Sequence, residues 1–298
     1  VTLVNRPGGS GFTSSEIQAL PTKVAAYDDI AALTAAFKYQ DAVALIYNPA
    51  GIVHTRSMVR AALAAGVNHL LTNEFGMNTF NANISELPTN NAKVEAQQIL
   101  EEELAAANSS ELKWTGIFTG VWYDLATQHK FFWADPVART VTRFGSGEQK
   151  VSIALGHVNG DAVVAVLRDP AKYADRAAYF HHHAVSANEL LAIFRELEPS
   201  NGWKAEDKGD ADTLMKEGLR MWDEDRRNGV QDFMHTKAFV AINGAAFFDE
   251  ENKFGVSYDG VAEGEYELSR EVLKENLKRL AEEVREEGKA GGGSLKAF

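Results

Sequence analysis

Cysteine is absent from this 298-residue chain, which excludes disulfides, thiolate nucleophiles and Cys-ligated zinc. Basic residues are scarce beside acidic ones: 30 Lys and Arg stand against 42 Asp and Glu, a formal net charge of -12. Binding a nucleic-acid backbone requires concentrated cations that displace counterions. Nucleic acid is therefore excluded as the main partner, although a local basic spot can still hold one phosphate. No apolar run is long enough for a membrane-spanning helix and no basic, apolar, small-residue leader opens the chain, so a soluble cytoplasmic protein with no membrane partner is expected. A Walker loop, a G-x-S-x-G elbow and an H-E-x-x-H pair are also missing. What remains is an ordinary globular composition, 45% hydrophobic and 24% charged, in a chain that suits one large domain or a domain with a smaller lobe.

The organising stretch is residues 40–93. Residues 42–47, AVALIY, form an apolar run without polar alternation, which predicts a central parallel strand covered on both faces. A turn through Asn48, Pro49, Ala50 and Gly51 leads to a helix with Met58, Val59, Ala62 and Leu63 on one face and Gly66 as its stop. Leu70 and Leu71 begin the next strand, completing a βαβ unit. Asn48, Thr72, Asn73 and Glu74 then fall at the carboxyl edge, where open α/β sheets bind ligands. Upstream, residues 1–4 and 23–26 read as strands and Asp28 or Asp29 as the cap of a helix buried on Ile30, Leu33, Thr34 and Phe37. Together with 42–46, 69–72 and 114–118, these predict five parallel strands of one doubly wound sheet.

Beyond a loop rich in Asn, Thr and Ser, residues 92–107 read as a helix with an acidic outer surface at Glu101, Glu102 and Glu103. The alternation then weakens: a strand at 151–155, a helix at 161–167 and a strand at 177–180 precede Ser186 and Glu189, which have capping-box spacing. Leu273, Leu277, Leu280 and Val284 mark the buried stripe of a last helix, and the glycine-rich segment 288–298 reads as a flexible tail. No long-period repeat is visible.

The segments VTLVNRPGGS, KVAAYDD, QDAVALIYN, AALAAGVNHLLTNEFGM, a Lys opening the next helix, and WTGIFTGVWYD together resemble the NmrA-like and isoflavone reductase-like proteins, which are atypical short-chain dehydrogenases. The resemblance covers residues 1–197. It implies a Rossmann-like α/β fold at 1–120 that binds NADP(H), and a smaller C-terminal α/β substrate lobe at 121–287. It places Arg6 at the 2'-phosphate, a task to which a guanidinium is suited. Tyr27 and Asp28 would lie at adenine, and Tyr47, Asn48 and Pro49 at the nicotinamide half, with Thr72, Asn73, Glu74 and Phe75 completing the cofactor edge. The family's catalytic lysine corresponds to Lys93, where a helix N-terminus disfavours a cation and so favours proton exchange. Many relatives carry a basic residue four positions later, where this chain has Gln97. The family's first strand, glycine-rich turn and first helix would precede Val1, and no G-x-G-x-x-G stands here between a strand and a helix. The chain as numbered is accordingly expected to bind NADPH weakly and to leave the edge of its opening strand unpaired.

Read without the resemblance, Arg6 is a solvated loop charge and Lys93 a helix-surface lysine. No Tyr has a Lys four positions later, which disfavours the phenolate mechanism common among short-chain dehydrogenases. The resemblance, by contrast, implies that Trp122, Tyr123, Phe131, Phe132 and Trp133 line a pocket for an aromatic substrate, where the residues alone read as plain core or lobe-interface packing. His181, His182 and His183 read as a surface strand end rather than as metal ligands, because adjacent side chains alternate faces. Two classes remain: an NADPH-dependent reductase acting on a small aromatic or unsaturated molecule, and an NmrA-like redox sensor that binds a regulatory protein partner without turnover.

Overall fold

The computed structural model describes residues 1–9, 14–47, 49–108, 110–128, 133–200 and 202–289. The elements begin with β1 (Leu3–Asn5), α1 (Ser15–Gln18), β2 (Thr22–Val24), α2 (Ile30–Phe37), β3 (Ala42–Ala44), α3 (Thr55–Ala65), β4 (His69–Leu71), α4 (Asn91–Ala107) and β5 (Lys113–Phe118). Then come β6 (Val121–Trp122), α5 (Tyr123–Gln128), β7 (Ala134–Asp135), β8 (Thr140–Arg143), β9 (Val151–Ala154), α6 (Val158–Arg168), β10 (Arg176–Tyr179) and β11 (His183–Val185). The chain continues through α7 (Ala187–Leu197), β12 (Lys204–Asp207), α8 (Ala211–Arg227), α9 (Lys237–Phe247) and α10 (Arg270–Lys289). Among the described residues no helix is long and apolar enough to cross a membrane.

The chain divides into two compact units. The first comprises Val1–Asn73, Asn91–Gly116 and Val163–Ala177. Its helices start and stop where local chemistry dictates. Asp29 caps α2 by accepting the Ala32 amide at 2.9 Å, and Gly66 ends α3 in the left-handed region at φ 72, which glycine adopts without steric cost. α2 packs on α3 and α3 on α4, burying Leu33, Phe37, Met58, Val59, Ala62 and Leu100 with Leu70 of β4 and Leu45, the residue after β3. Each large side chain removed from water in this way contributes roughly 1.5 to 3 kcal/mol.

The strands are parallel, as the βαβ pattern requires: β3 pairs with β4 and β4 with β5. They do not, however, form a single sheet. β1 and β2 make a parallel ladder of their own, and the other order is β10-β5-β4-β3. In a doubly wound sheet the chain changes direction at a switch point, where strands consecutive in sequence are not neighbours, and β2 and β3 are such a pair. The expectation that residues 42–47 form a central, doubly covered strand is also corrected. β3 is the terminal strand of its sheet, and Ile46 and Val24 are 69% and 65% exposed.

The acidic surface of α4 needs a further correction. Glu103 is only 7% exposed, because the helical period turns it inward with Leu100, and it pairs with Arg56 and with Arg60, whose Nε lies at 2.7 Å.

The second unit comprises Glu74–Asn90, Ile117–Ala162 and Ala178–Phe298. β9 runs parallel to β6 and antiparallel to β11, while β8 lies between β7 and β12. Ser186 and Glu189 form the capping box that opens α7. Leu273, Leu277, Leu280 and Val284 are buried along α10 as their spacing predicts. The histidine run is not a surface strand end: His181 and His182 are buried between β10 and β11. The His182 amide donates to the Ile153 carbonyl, and the Leu268 amide donates to the His182 carbonyl.

Candidate functional site

In the first unit the carboxyl edge gathers polar and aromatic groups. β3 gives way to Tyr47 and β4 to Asn73, and the Asn73 amide fastens the two strand ends. Its Nδ2 donates to the Tyr47 carbonyl at 3.0 Å and its Oδ1 accepts the Tyr47 amide at 3.4 Å. The Tyr47 ring is held at its far end by a 3.1 Å hydroxyl contact with Thr55, at the start of α3. It is crowded at its near end by Gly51, where an added Cβ would sit 2.8 Å from the ring. Tyr27, just past β2, lies with its ring 6.3 Å from that of Tyr47 and 6.1 Å from that of His54. Tyr27, Tyr47 and Asn73 are thus brought together with His54 and Thr55. The sequence reading did not single out those last two, although their position right after a Pro-Ala-Gly turn at a helix start was the available signal.

The remaining cofactor-edge residues are more dispersed. Arg6 and Asp28 are exposed just beyond the ends of β1 and β2, which the Ala25 amide joins by donating to the Asn5 carbonyl at 2.9 Å. Thr72 is buried and its amide donates to the Thr115 carbonyl at 3.0 Å. Pro49 begins a 3-10 turn that leads to α3, while Asn48, Phe131 and Phe132 lie outside the described residues. Lys93 is half-buried in the first turn of α4.

In the second unit, Glu74 is buried and its carboxylate accepts the Thr79 hydroxyl at 2.6 Å. Phe75 adopts φ 44, a left-handed conformation that costs a non-glycine residue about 1 to 3 kcal/mol and persists only where the surroundings fix it. Its amide donates to the Ile117 carbonyl at 2.8 Å, and Gly76 makes a parallel bridge to Phe118. Trp122 is half-buried and its indole N–H donates to the Thr119 hydroxyl at 2.9 Å, which in turn donates to Asn159 Oδ1 at 3.0 Å. Tyr123 is fully enclosed, and burial pushes its phenol well above the usual range.

Comparison with known proteins adds three kinds of likeness. The NmrA-like family model matches residues 22–198. Oxidoreductase aprR of Aspergillus flavus is 26% identical over 216 residues, 72% of this chain and 71% of aprR. Oxidoreductase poxI of Penicillium oxalicum is 29% identical over 187 residues; the match takes in 62% of this chain but only 59% of poxI, less than two thirds of its length. Among solved structures, the binary complex of leucoanthocyanidin reductase with NADPH from Vitis vinifera superposes with a TM-score of 0.64 at 14% identity, covering 94% of this chain and 90% of that one. That likeness is one of fold.

Proposed function

The chain belongs to the NmrA-like family, and from that premise we propose that it is an NADPH-dependent reductase of the isoflavone reductase-like type, acting on a small aromatic or unsaturated molecule. The observation that carries this reading is the Asn73 clamp on Tyr47, with Tyr27 and His54 beside it, at the carboxyl edge of parallel strands. The residues fit NADP(H) by their chemistry. The exposed Arg6 guanidinium after β1 suits a 2'-phosphate, and the rings of Tyr27 and Tyr47 suit flat heterocycles. Asp28, Pro49 and Thr72 continue the same proposed edge in the first unit, and Glu74 and Phe75, which follow directly in sequence, are assigned to the cofactor by the family resemblance.

Bound NADPH would supply the hydride. Lys93 would donate the proton to the substrate oxygen or polarise it, and the aromatic set that includes Trp122 and Tyr123 would serve the substrate. The competing reading is a redox sensor that binds a protein partner without turnover.

Titration calorimetry with NADPH and NADH, at concentrations suited to weak binding, tests the cofactor assignment: Arg6→Ala is expected to weaken NADPH far more than NADH, and equal losses would remove the role. NADPH oxidation across aromatic enones, lignan-type ethers and quinones tests catalysis. Lys93→Ala is expected to leave NADPH affinity nearly intact and to lower turnover about a hundredfold or more. Binding without oxidation of NADPH by the wild type would favour the sensor, and turnover that survives Lys93→Ala would refute the role given to that lysine.

A further inference from the structure

The strained turn at Phe75 and Gly76 is held by more than its neighbouring strand. The Gly76 carbonyl accepts three donors: the Thr119 amide at 3.2 Å, the Gly120 amide at 3.1 Å and the Tyr258 hydroxyl at 2.9 Å. The third is the shortest, and it comes from 182 residues away in sequence. Two amides would already occupy the two lone pairs of a carbonyl, so the phenol is an additional constraint rather than a substitute for a missing partner.

Tyr258 is itself rigidly set. It is 1% exposed, its ring lies 5.0 Å from that of Tyr179, and its own amide donates to Ser152 Oγ at 2.7 Å. Ser152 Oγ also hydrogen-bonds His181 Nδ1 at 2.8 Å, and His181 Nε2 faces Glu267 at 3.4 Å. The Ser152 amide meanwhile donates to the Val256 carbonyl at 2.9 Å, which secures the segment on the other side of Tyr258. Gly120 completes the arrangement: it sits at φ 66, and an added Cβ would collide with the Ser152 carbonyl. Serine, histidine and glutamate therefore line up behind the phenol, and the phenol behind the turn. Ser152 is fully buried, and its contacts with Tyr258 and His181 make it a brace.

We propose that Tyr258 is a positioning residue: through its hydroxyl it fixes the Gly76 carbonyl, and with it the Phe75–Gly76 turn that ends the cofactor edge, while Ser152 and His181 hold Tyr258 in place. Its consequence for cofactor binding rests on the reductase reading; its consequence for the turn does not. Burial disfavours ionisation of this phenol, so it remains a hydrogen-bond donor across the working pH range.

Tyr258→Phe removes only the hydroxyl and leaves the ring packing. Backbone amide exchange by NMR is expected to accelerate about tenfold at Thr119 and Gly120, the gain typical of losing one hydrogen bond locally, with no change in β8 and β12 and little change in melting temperature. NADPH affinity should fall about threefold to tenfold, on the scale of a displaced binding contact. Unchanged exchange at Thr119 and Gly120 would overturn the proposal. So would acceleration spread equally over β8 and β12, which would make Tyr258 a general packing residue. If Tyr258→Phe does not fold, Ser152→Ala is read in the same way: it frees the Tyr258 backbone, and an undisturbed Gly120 amide would overturn the brace. Should the wild type neither bind nor oxidise NADPH, the reductase reading falls while the exchange data still decide the role of Tyr258.

Discussion

His182 is 4% exposed, and its Nδ1 accepts the Leu155 amide at 3.2 Å, a contact that only the ring with Nδ1 unprotonated can make. Burial, followed by repulsion from His157, pushes its pKa down to about 4, and His183 is likewise pushed to about 4 by burial and by His182. Because the folded values lie below the unfolded value of about 6.5, the unfolded chain takes up more protons between them. Stability is thus complete above about pH 6.5 and is lost as pH falls toward 4, by roughly 3 kcal/mol from His182 alone. Denaturant titrations at pH 7.5 and 5 are expected to show this loss. His182→Asn, which keeps an acceptor near Nδ1, should flatten the dependence; an unaltered slope would mean that His182 titrates normally in the fold. The histidine run was visible in the sequence, but its burial was not, since it depends on residues near 268 and 153. Asn73 and Tyr47 were legible at their strand ends, whereas their mutual clamp depends on two strands lying side by side.

At the scale of elements, the βαβ pattern, the Asp29 and Ser186 caps and the Gly66 stop were all written locally and are found where they were expected. Sheet order was not, because it is a relation among distant segments, and the edge position of β3 left no mark on its apolar run. Glu103 lies between these cases: its spacing of three from Leu100 placed it on the inward face, and Arg56 and Arg60 are one helical turn apart on α3. The Arg60 guanidinium, aided by Arg56, holds the Glu103 carboxyl below its usual range. Glu103→Gln keeps the shape and removes the charge, and is expected to destabilise the α3–α4 pairing by roughly 1 to 2 kcal/mol in low salt. The arginines are half exposed, so the difference should shrink as salt is added. A urea midpoint unaffected by the substitution would show that the cluster carries no energetic weight.

For the molecule as a whole, neither unit is a continuous piece of chain. Residues 163–177 return to the first unit: the Tyr173 carbonyl accepts the Thr115 hydroxyl at 2.6 Å, and Asp175 pairs with Lys113 at 2.8 Å. A fragment of residues 1–120 leaves these partners of β5 behind. It is expected to bind a hydrophobic dye and to melt without a cooperative transition, and a sharp melt would show that the returning segment is dispensable. The hydroxyl of Tyr258 on Gly76 extends this interleaving into time. The two residues are 182 positions apart, and at about 5 to 20 residues per second a ribosome needs roughly 10 to 40 s to go from one to the other. During that interval the nascent chain carries an unbraced turn, so the strand end proposed to meet the dinucleotide acquires its final shape only after Tyr258 has been made.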